Sequence, residues 1–132
     1  MNTPTDSVRI SIFDAEDTAK FLVQTEADDM DNWKLPGGKF NSTSESVLDA
    51  AARELFEELG LSGDSVGLRS VGKLVNDDGV SARYIFTAVA QASQLRPTPE
   101  VAELRWVTES DVPDGPNRSH MLTAVALARR SL

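Results

Sequence analysis

The sequence contains no cysteine and a single histidine, His120, among 132 residues. Disulfides and thiolate metal sites are therefore excluded. Any metal site must be built from oxygen, which favours Mg²⁺, Mn²⁺ or Ca²⁺ over structural zinc. Positive charge is also scarce, with 13 Lys and Arg against 21 Asp and Glu and a formal net charge of -8. Tight binding to a nucleic-acid polymer needs a basic surface, so that partner class is not expected. A small anionic ligand can still bind where metal ions neutralise it. No apolar run approaches membrane-spanning length, and MNTPTDSVRI lacks the basic start and apolar stretch of a signal peptide. The expected compartment is the cytoplasm, with no membrane partner. Repeats and low-complexity tracts are absent, and the length predicts one domain over residues 1–132 with a core that needs no staple.

Strand and helix patterns alternate along the chain. Residues 8–13 (VRISIF) and 20–24 (KFLVQ) read as strands, and the acidic stretch 26–32 (EADDMDN) as a loop. Residues 33–35 form a short extended piece closed by a turn at Pro36, Gly37 and Gly38. Val47, Leu48, Ala51, Ala52, Leu55 and Leu59 then recur at helical spacing behind a run of serine and threonine caps, with Gly60 just past the last of them. This spacing predicts a helix over residues 46–59. Residues 71–75 and 82–90 flank Asp78-Gly79 as a hairpin. Residues 104–107 are a last short strand, and residues 119–131 a closing helix with Arg129 and Arg130 at its C-terminal end. Several strands, two helices and a glycine-rich lead-in make an α/β or α+β domain.

The chemistry concentrates in Arg53, Glu54, Glu57 and Glu58 at the end of the first helix. Residues three and four apart share a helix face, so the three glutamates can point one way and receive a hard divalent cation. They repel one another and oppose the negative end of the helix dipole. Local stability does not select this arrangement, whereas a bound cation relieves it, which is the kind of local conflict expected at a functional site. Gly37 and Gly38, just ahead of the helix, let backbone come close to a ligand.

These residues resemble the Nudix hydrolases, whose box is written G-x5-E-x7-R-E-U-x-E-E-x-G-U with U aliphatic. Glu45, seven intervening residues and then Arg53-Glu54-Leu55-Phe56-Glu57-Glu58-Leu59-Gly60-Leu61 match the box from its first glutamate onward. The lead-in Leu35-Pro36-Gly37-Gly38 and the downstream Glu100, Glu103, Trp106 and Val107 are similar to family features as well. One departure is visible: six residues separate Gly38 from Glu45 instead of five, and Ser44 stands where a glycine commonly precedes that glutamate. The resemblance implies an α/β/α sandwich with a mixed central sheet and the acidic helix beside it. It also implies Mg²⁺-dependent hydrolysis, with Mn²⁺ as a substitute, of a nucleoside diphosphate linked to another group.

By the same resemblance, Glu54, Glu57 and Glu58 hold metal, with Glu57 the foremost ligand, a backbone carbonyl near Gly38 joins them, and Arg53 orients the carboxylates. Glu54 is either ligand or general base. Glu45 pairs with Arg53. Glu100, six residues before Trp106, is a further ligand or base, or a plain loop carboxylate, and Glu103 a solvent-facing strand residue. Arg83 either reaches a phosphate or is an exposed strand arginine. Trp33 stacks on a base or joins Trp106 in the core. Asn117 reads a purine edge or caps the last helix, and His120 lies on the surface. The short length favours a MutT-like house-cleaning enzyme for (d)NTPs or oxidised (d)NTPs, monomeric or homodimeric. ADP-ribose or dinucleoside polyphosphate hydrolysis, or a non-catalytic nucleotide-binding module, are the alternatives.

Overall fold

Alternation along a strand sends successive side chains to opposite faces of a sheet, and the strand β1 (Asp6–Asp14) does this at the centre of the molecule. In the computed structural model, which describes residues 5–132, Val8, Ile10 and Ile12 point to one face, and Ser7, Arg9 and Phe13 belong to the other. β1 pairs in parallel with β6 (Ala82–Ala90), from Ser7 opposite Arg83 to Asp14 opposite Ala90. Its other edge is shared by two antiparallel neighbours, β4 (Gly37–Phe40) along its first half and β2 (Phe21–Glu26) at Phe13. β2 carries β3 (Asp29–Lys34) and β7 (Val101–Val107), and β6 carries β5 (Arg69–Val75). The result is a mixed sheet of seven strands among the described residues.

The helix α1 (Val47–Leu59) lays Ala50, Ala51, Leu55 and Leu59 on the face that holds Val8, Ile10 and Ile12. A one-turn helix α2 (Gly63–Val66) follows it. On the opposite face, α3 (Arg118–Arg129) buries Met121, Ala124, Val125 and Ala128 against Phe13, Phe21 and Ile85. The expected α/β/α sandwich is thus present, with two apolar layers separated by the sheet. Among the described residues no helix is long and apolar enough to cross a membrane.

Capping at both ends of α1 follows the expectation. The Ser46 hydroxyl accepts from the Asp49 N–H at 3.1 Å, and Gly60 ends the helix at φ +66°. Two expectations are corrected. The acidic stretch at 26–32 is a hairpin, in which β2 and β3 meet with Glu26 opposite Asp29. Strand β3 is polar because much of it faces solvent, and Lys34 returns to lie 3.5 Å from both Glu26 and Asp29. The Gly37-Gly38 pair is likewise a strand against β1 and not a turn. Gly37 has φ +141°, and a Cβ there would sit 2.0 Å from the Val8 carbonyl oxygen, so crowding between strands demands the glycine.

Candidate active site

Glu54 and Glu58 are one helical turn apart, so they emerge from the same face of α1, whereas Glu57 is rotated about 100° from Glu58. That rotation divides the three glutamates. Glu54 and Glu58 turn inward, 9 % and 2 % exposed, and line a groove of about 540 Å³ with Glu26, Asp28, Gly37, Gly38 and Glu100. Glu57 is exposed and bonds Arg53 at 3.2 Å without joining the groove lining. Strand β4 forms the facing wall because Gly38 has no side chain. A Cβ at Gly38 would lie 2.7 Å from Oε1 of Glu54.

The loop after β6 supplies Glu100. The last turn of any helix leaves carbonyls without intrahelical donors, and here residues 96–98 satisfy three of them. Arg96 N–H donates to Leu59 O at 2.8 Å, Thr98 N–H to Glu58 O at 3.0 Å, and the Thr98 hydroxyl to Glu57 O at 2.6 Å. The loop is thereby tied to the end of α1. The Ala27 N–H donates to Glu100 O at 2.9 Å, which joins that loop to the β2–β3 turn and places Glu100 at the groove rim.

Arg53 organises the outer side of the cluster. Its guanidinium forks onto Glu45, with Nη2 2.7 Å from Oε1 and Nε 3.1 Å from Oε2, and its Nη1 donates to Glu54 Oε1 at 3.0 Å. Planar bidentate pairing of this kind fixes orientation as well as charge. The Arg53 hydrogen bonds hold the Glu45 carboxyl below its ordinary range. Burial pushes the Glu54 carboxyl upward, against the opposing pull of Arg53.

Glu58 is clasped differently. Its Oε1 accepts from the Gly37 N–H at 2.8 Å and its Oε2 from Gln24 Nε2 at 3.0 Å, so one carboxylate joins α1, β4 and β2. Burial nevertheless pushes its pKa up to about 8, aided by the charges of Glu54 and Glu26 and opposed by the Gly37 N–H. Gln24, fully buried, has an Oε1 with no hydrogen-bond partner. Among the described residues, no three acidic or histidine side chains converge into a ready-made cation cage. Glu54, Glu57 and Glu58 are each held by a protein partner. Even so, the donor set of carboxylate and backbone oxygens fits a hard divalent cation and no soft one.

Several of the remaining predicted residues lie on the other face of the sheet. Arg83 and Asn117 line a cavity of about 240 Å³ under the start of α3, together with Arg9, Lys34, Lys39 and His120. Arg83 is half-buried with its Nε enclosed, so it is not the exposed strand arginine expected. Asn117 occupies the N-cap position of α3 but its side chain does not cap. Instead Nδ2 donates to the Trp33 carbonyl at 3.1 Å, because the amide faces the end of β3. Trp33 is half-buried, and the Arg105 guanidinium lies 4.5 Å from its ring centroid, covering a face that could have stacked on a base. Trp106 is half-buried against the α1 layer, and Glu103 is exposed beside Arg105. His120 is exposed, as expected, yet it borders the cavity.

Sequence reasoning missed Gln24, Glu26, Asp28, Arg9 and Lys39. A glutamine inside the apolar run FLVQT was the one available signal, since an inward polar residue must find a partner. The others become visible only once strand register is known.

A family model described as NUDIX domain matches residues 3–126. A Mycobacterium tuberculosis protein provisionally named 8-oxo-dGTP diphosphatase 3 is 39% identical over 89 residues. That match covers 64% of this chain and 41% of the relative, so the chain spans well under half of that protein's length. Among solved structures, the NUDIX domain of Shewanella oneidensis NrtR, complexed with ADP ribose, superposes with a TM-score of 0.73 at 19% identity, covering 99% of this chain and 90% of that one. A MutT NUDIX hydrolase from Burkholderia pseudomallei gives 0.72 at 21% identity, covering 96% and 98%. At these identities the structural likeness speaks for the fold.

Proposed function

The chain belongs to the Nudix family, and on that premise we propose that it hydrolyses the diphosphate linkage of a nucleoside diphosphate joined to another group, using Mg²⁺. The observation that carries this reading is the meeting of Glu54, Glu58, the Gly38 backbone and Glu100 around one groove. Glu54, Glu58 and the Gly38 carbonyl are the residues that would hold Mg²⁺, with Glu57, outside the groove lining and paired with Arg53, as a further ligand. Mg²⁺ when bound neutralises a diphosphate, polarises phosphorus and lowers the pKa of water.

The chain's own groups do the rest. Arg53 holds Glu54 in place through Oε1, and Glu45 holds Arg53. Gln24 and the Gly37 N–H fix the Glu58 carboxylate. Glu54 is committed to Arg53 and the Gly38 wall, which leaves the exposed Glu100 carboxylate at the rim as the acceptor for the proton of an attacking water. A (d)NTP or an oxidised (d)NTP is the proposed substrate, a reading supported by the named activity of the Mycobacterium tuberculosis relative. The proposed protein acts on small molecules in the cytoplasm, as a monomer or homodimer.

The test is a substrate panel with Mg²⁺, followed by phosphorus NMR in ¹⁸O-labelled water. We expect cleavage of a nucleoside triphosphate between two of its phosphates, abolished by chelator, with the label marking the phosphorus attacked. Absence of turnover on nucleoside triphosphates, ADP-ribose and dinucleoside polyphosphates alike would overturn the enzyme reading.

A further inference from the structure

Residues 97–99 read Pro-Thr-Pro. Each proline fixes its own φ and favours an extended backbone at the residue before it, so Arg96 and Thr98 have little conformational freedom. Thr98 owns the one backbone N–H of the tripeptide. That N–H donates to Glu58 O at 3.0 Å, and the Thr98 hydroxyl donates to Glu57 O at 2.6 Å. The Thr98 carbonyl accepts from the Val101 N–H at 3.1 Å, which closes a turn over residues 98–101. Glu100 is the third residue of that turn, and its own N–H lies 3.4 Å from the Thr98 hydroxyl oxygen. Every hydrogen-bonding group of Thr98 therefore serves either the last turn of α1 or the turn that carries Glu100.

Capping alone does not account for this residue. The C-terminal carbonyls of a helix are commonly answered by a glycine cap or by lysine and arginine. Gly60 already supplies the first, donating to Phe56 O at 3.0 Å, and α1 has no basic residue in its last turn. A lysine there would compete for the neighbouring glutamates. A hydroxyl held between two prolines reaches the carbonyls without doing so. The backbone it grips belongs to Glu57 and Glu58, so a single residue fixes how the metal-holding end of the helix lies against Glu100.

We infer that Thr98 is a positioning residue for the hydrolysis, whose hydroxyl keeps Glu100 in register with the carboxylates of α1. The inference rests on the hydrolase reading, in which Glu100 takes the proton of the attacking water.

Three variants and one background test it. Thr98→Val keeps the shape of the side chain without the hydroxyl, Thr98→Ser keeps the hydroxyl, and Thr123→Val is the control, removing a bond to Ser119 O at 3.0 Å on the exposed side of α3. With a nucleoside triphosphate and Mg²⁺, Thr98→Val should lower kcat roughly tenfold at nearly constant KM, Thr98→Ser should regain most of the loss, and Thr123→Val should behave as wild type. In a Glu100→Gln background, Thr98→Val should cost almost nothing more, because the group it positions is already gone. A loss of equal size in that background would make Thr98 a structural cap and overturn the inference, as would full kcat in Thr98→Val. Amide exchange followed by NMR in EDTA reads the same link without turnover. The Ala27 N–H, bonded to Glu100 O at 2.9 Å, should exchange roughly fivefold faster in Thr98→Val, while amides at the centre of α1 keep their protection. An Ala27 amide as protected as in wild type would reject the positioning role even if nucleotide is hydrolysed, and a faster one supports the link even if none is.

Discussion

At Glu58, burial and hydrogen bonding pull in opposite directions, and burial prevails. The folded carboxyl titrates at about 8 against an ordinary value of 4.5. Between those two values the folded state holds a proton that the unfolded chain has released, so stability must fall as pH rises through that window. In EDTA, the melting temperature should decline from pH 5 to pH 8, with a slope of up to about 1.4 kcal/mol per pH unit. Glu58→Gln, which cannot titrate, should flatten the decline, and thermal melts across that range check it. Catalysis gives a second expectation at this scale. Glu54→Gln should leave the fold intact and lower kcat/KM by roughly a hundredfold or more, since it removes a group worth several kcal/mol to the transition state. Glu57→Gln, outside the groove lining, should cost less. Steady-state kinetics on both variants decide whether the inward pair outranks Glu57. The glutamates were readable in the sequence because spacing along a helix is itself geometry. Gln24, which joins Glu58 from a strand 34 residues earlier, was not, since its partner depends on how β2 meets α1.

The adjacent glycines of β4 serve different neighbours, and substitution should separate them. Gly37→Ala places a methyl against the Val8 carbonyl at a positive φ, so it should lose more than about 2 kcal/mol of stability in denaturant titration. Gly38→Ala meets only the end of the Glu54 side chain. It should melt near wild type while turnover drops, because the displaced group is the carboxylate. A third substitution concerns the entry to α3. Asn117→Ala removes the link between that helix and the Trp33 carbonyl, for a loss of about 1 kcal/mol measured by chemical unfolding. Among the elements, α1 was legible to within one residue because its caps and apolar period agree. β3 and β4 were not. One is a polar edge strand without alternation, and the other is a glycine pair whose crowding comes from a strand thirty residues earlier.

Across the whole molecule, the carboxylate groove and the basic cavity under α3 are close enough that the charges of Glu58, Glu26 and Glu54 act on Arg9 and Glu26 pairs with Lys34. Millimolar Mg²⁺ should raise the melting temperature by several degrees, since a cation that binds only the folded form stabilises it by mass action. Glu58→Gln should shrink that rise, and a wild-type curve unmoved by metal would count against a preformed site. The α/β class was foreseeable from alternating strand and helix patterns, and the layered sandwich only from the resemblance to the Nudix family. The pairing of β1 with β6 was not, because parallel register joins residues such as Ser7 and Arg83 across most of the chain. That pairing also bears on biosynthesis. The central strand is made early, yet its parallel neighbour is made last but one among the strands. At about 5–20 residues per second, the apolar run of β1 waits several seconds on the ribosome for its mate, so the nascent chain should be a client of holding chaperones until residue 90 has emerged.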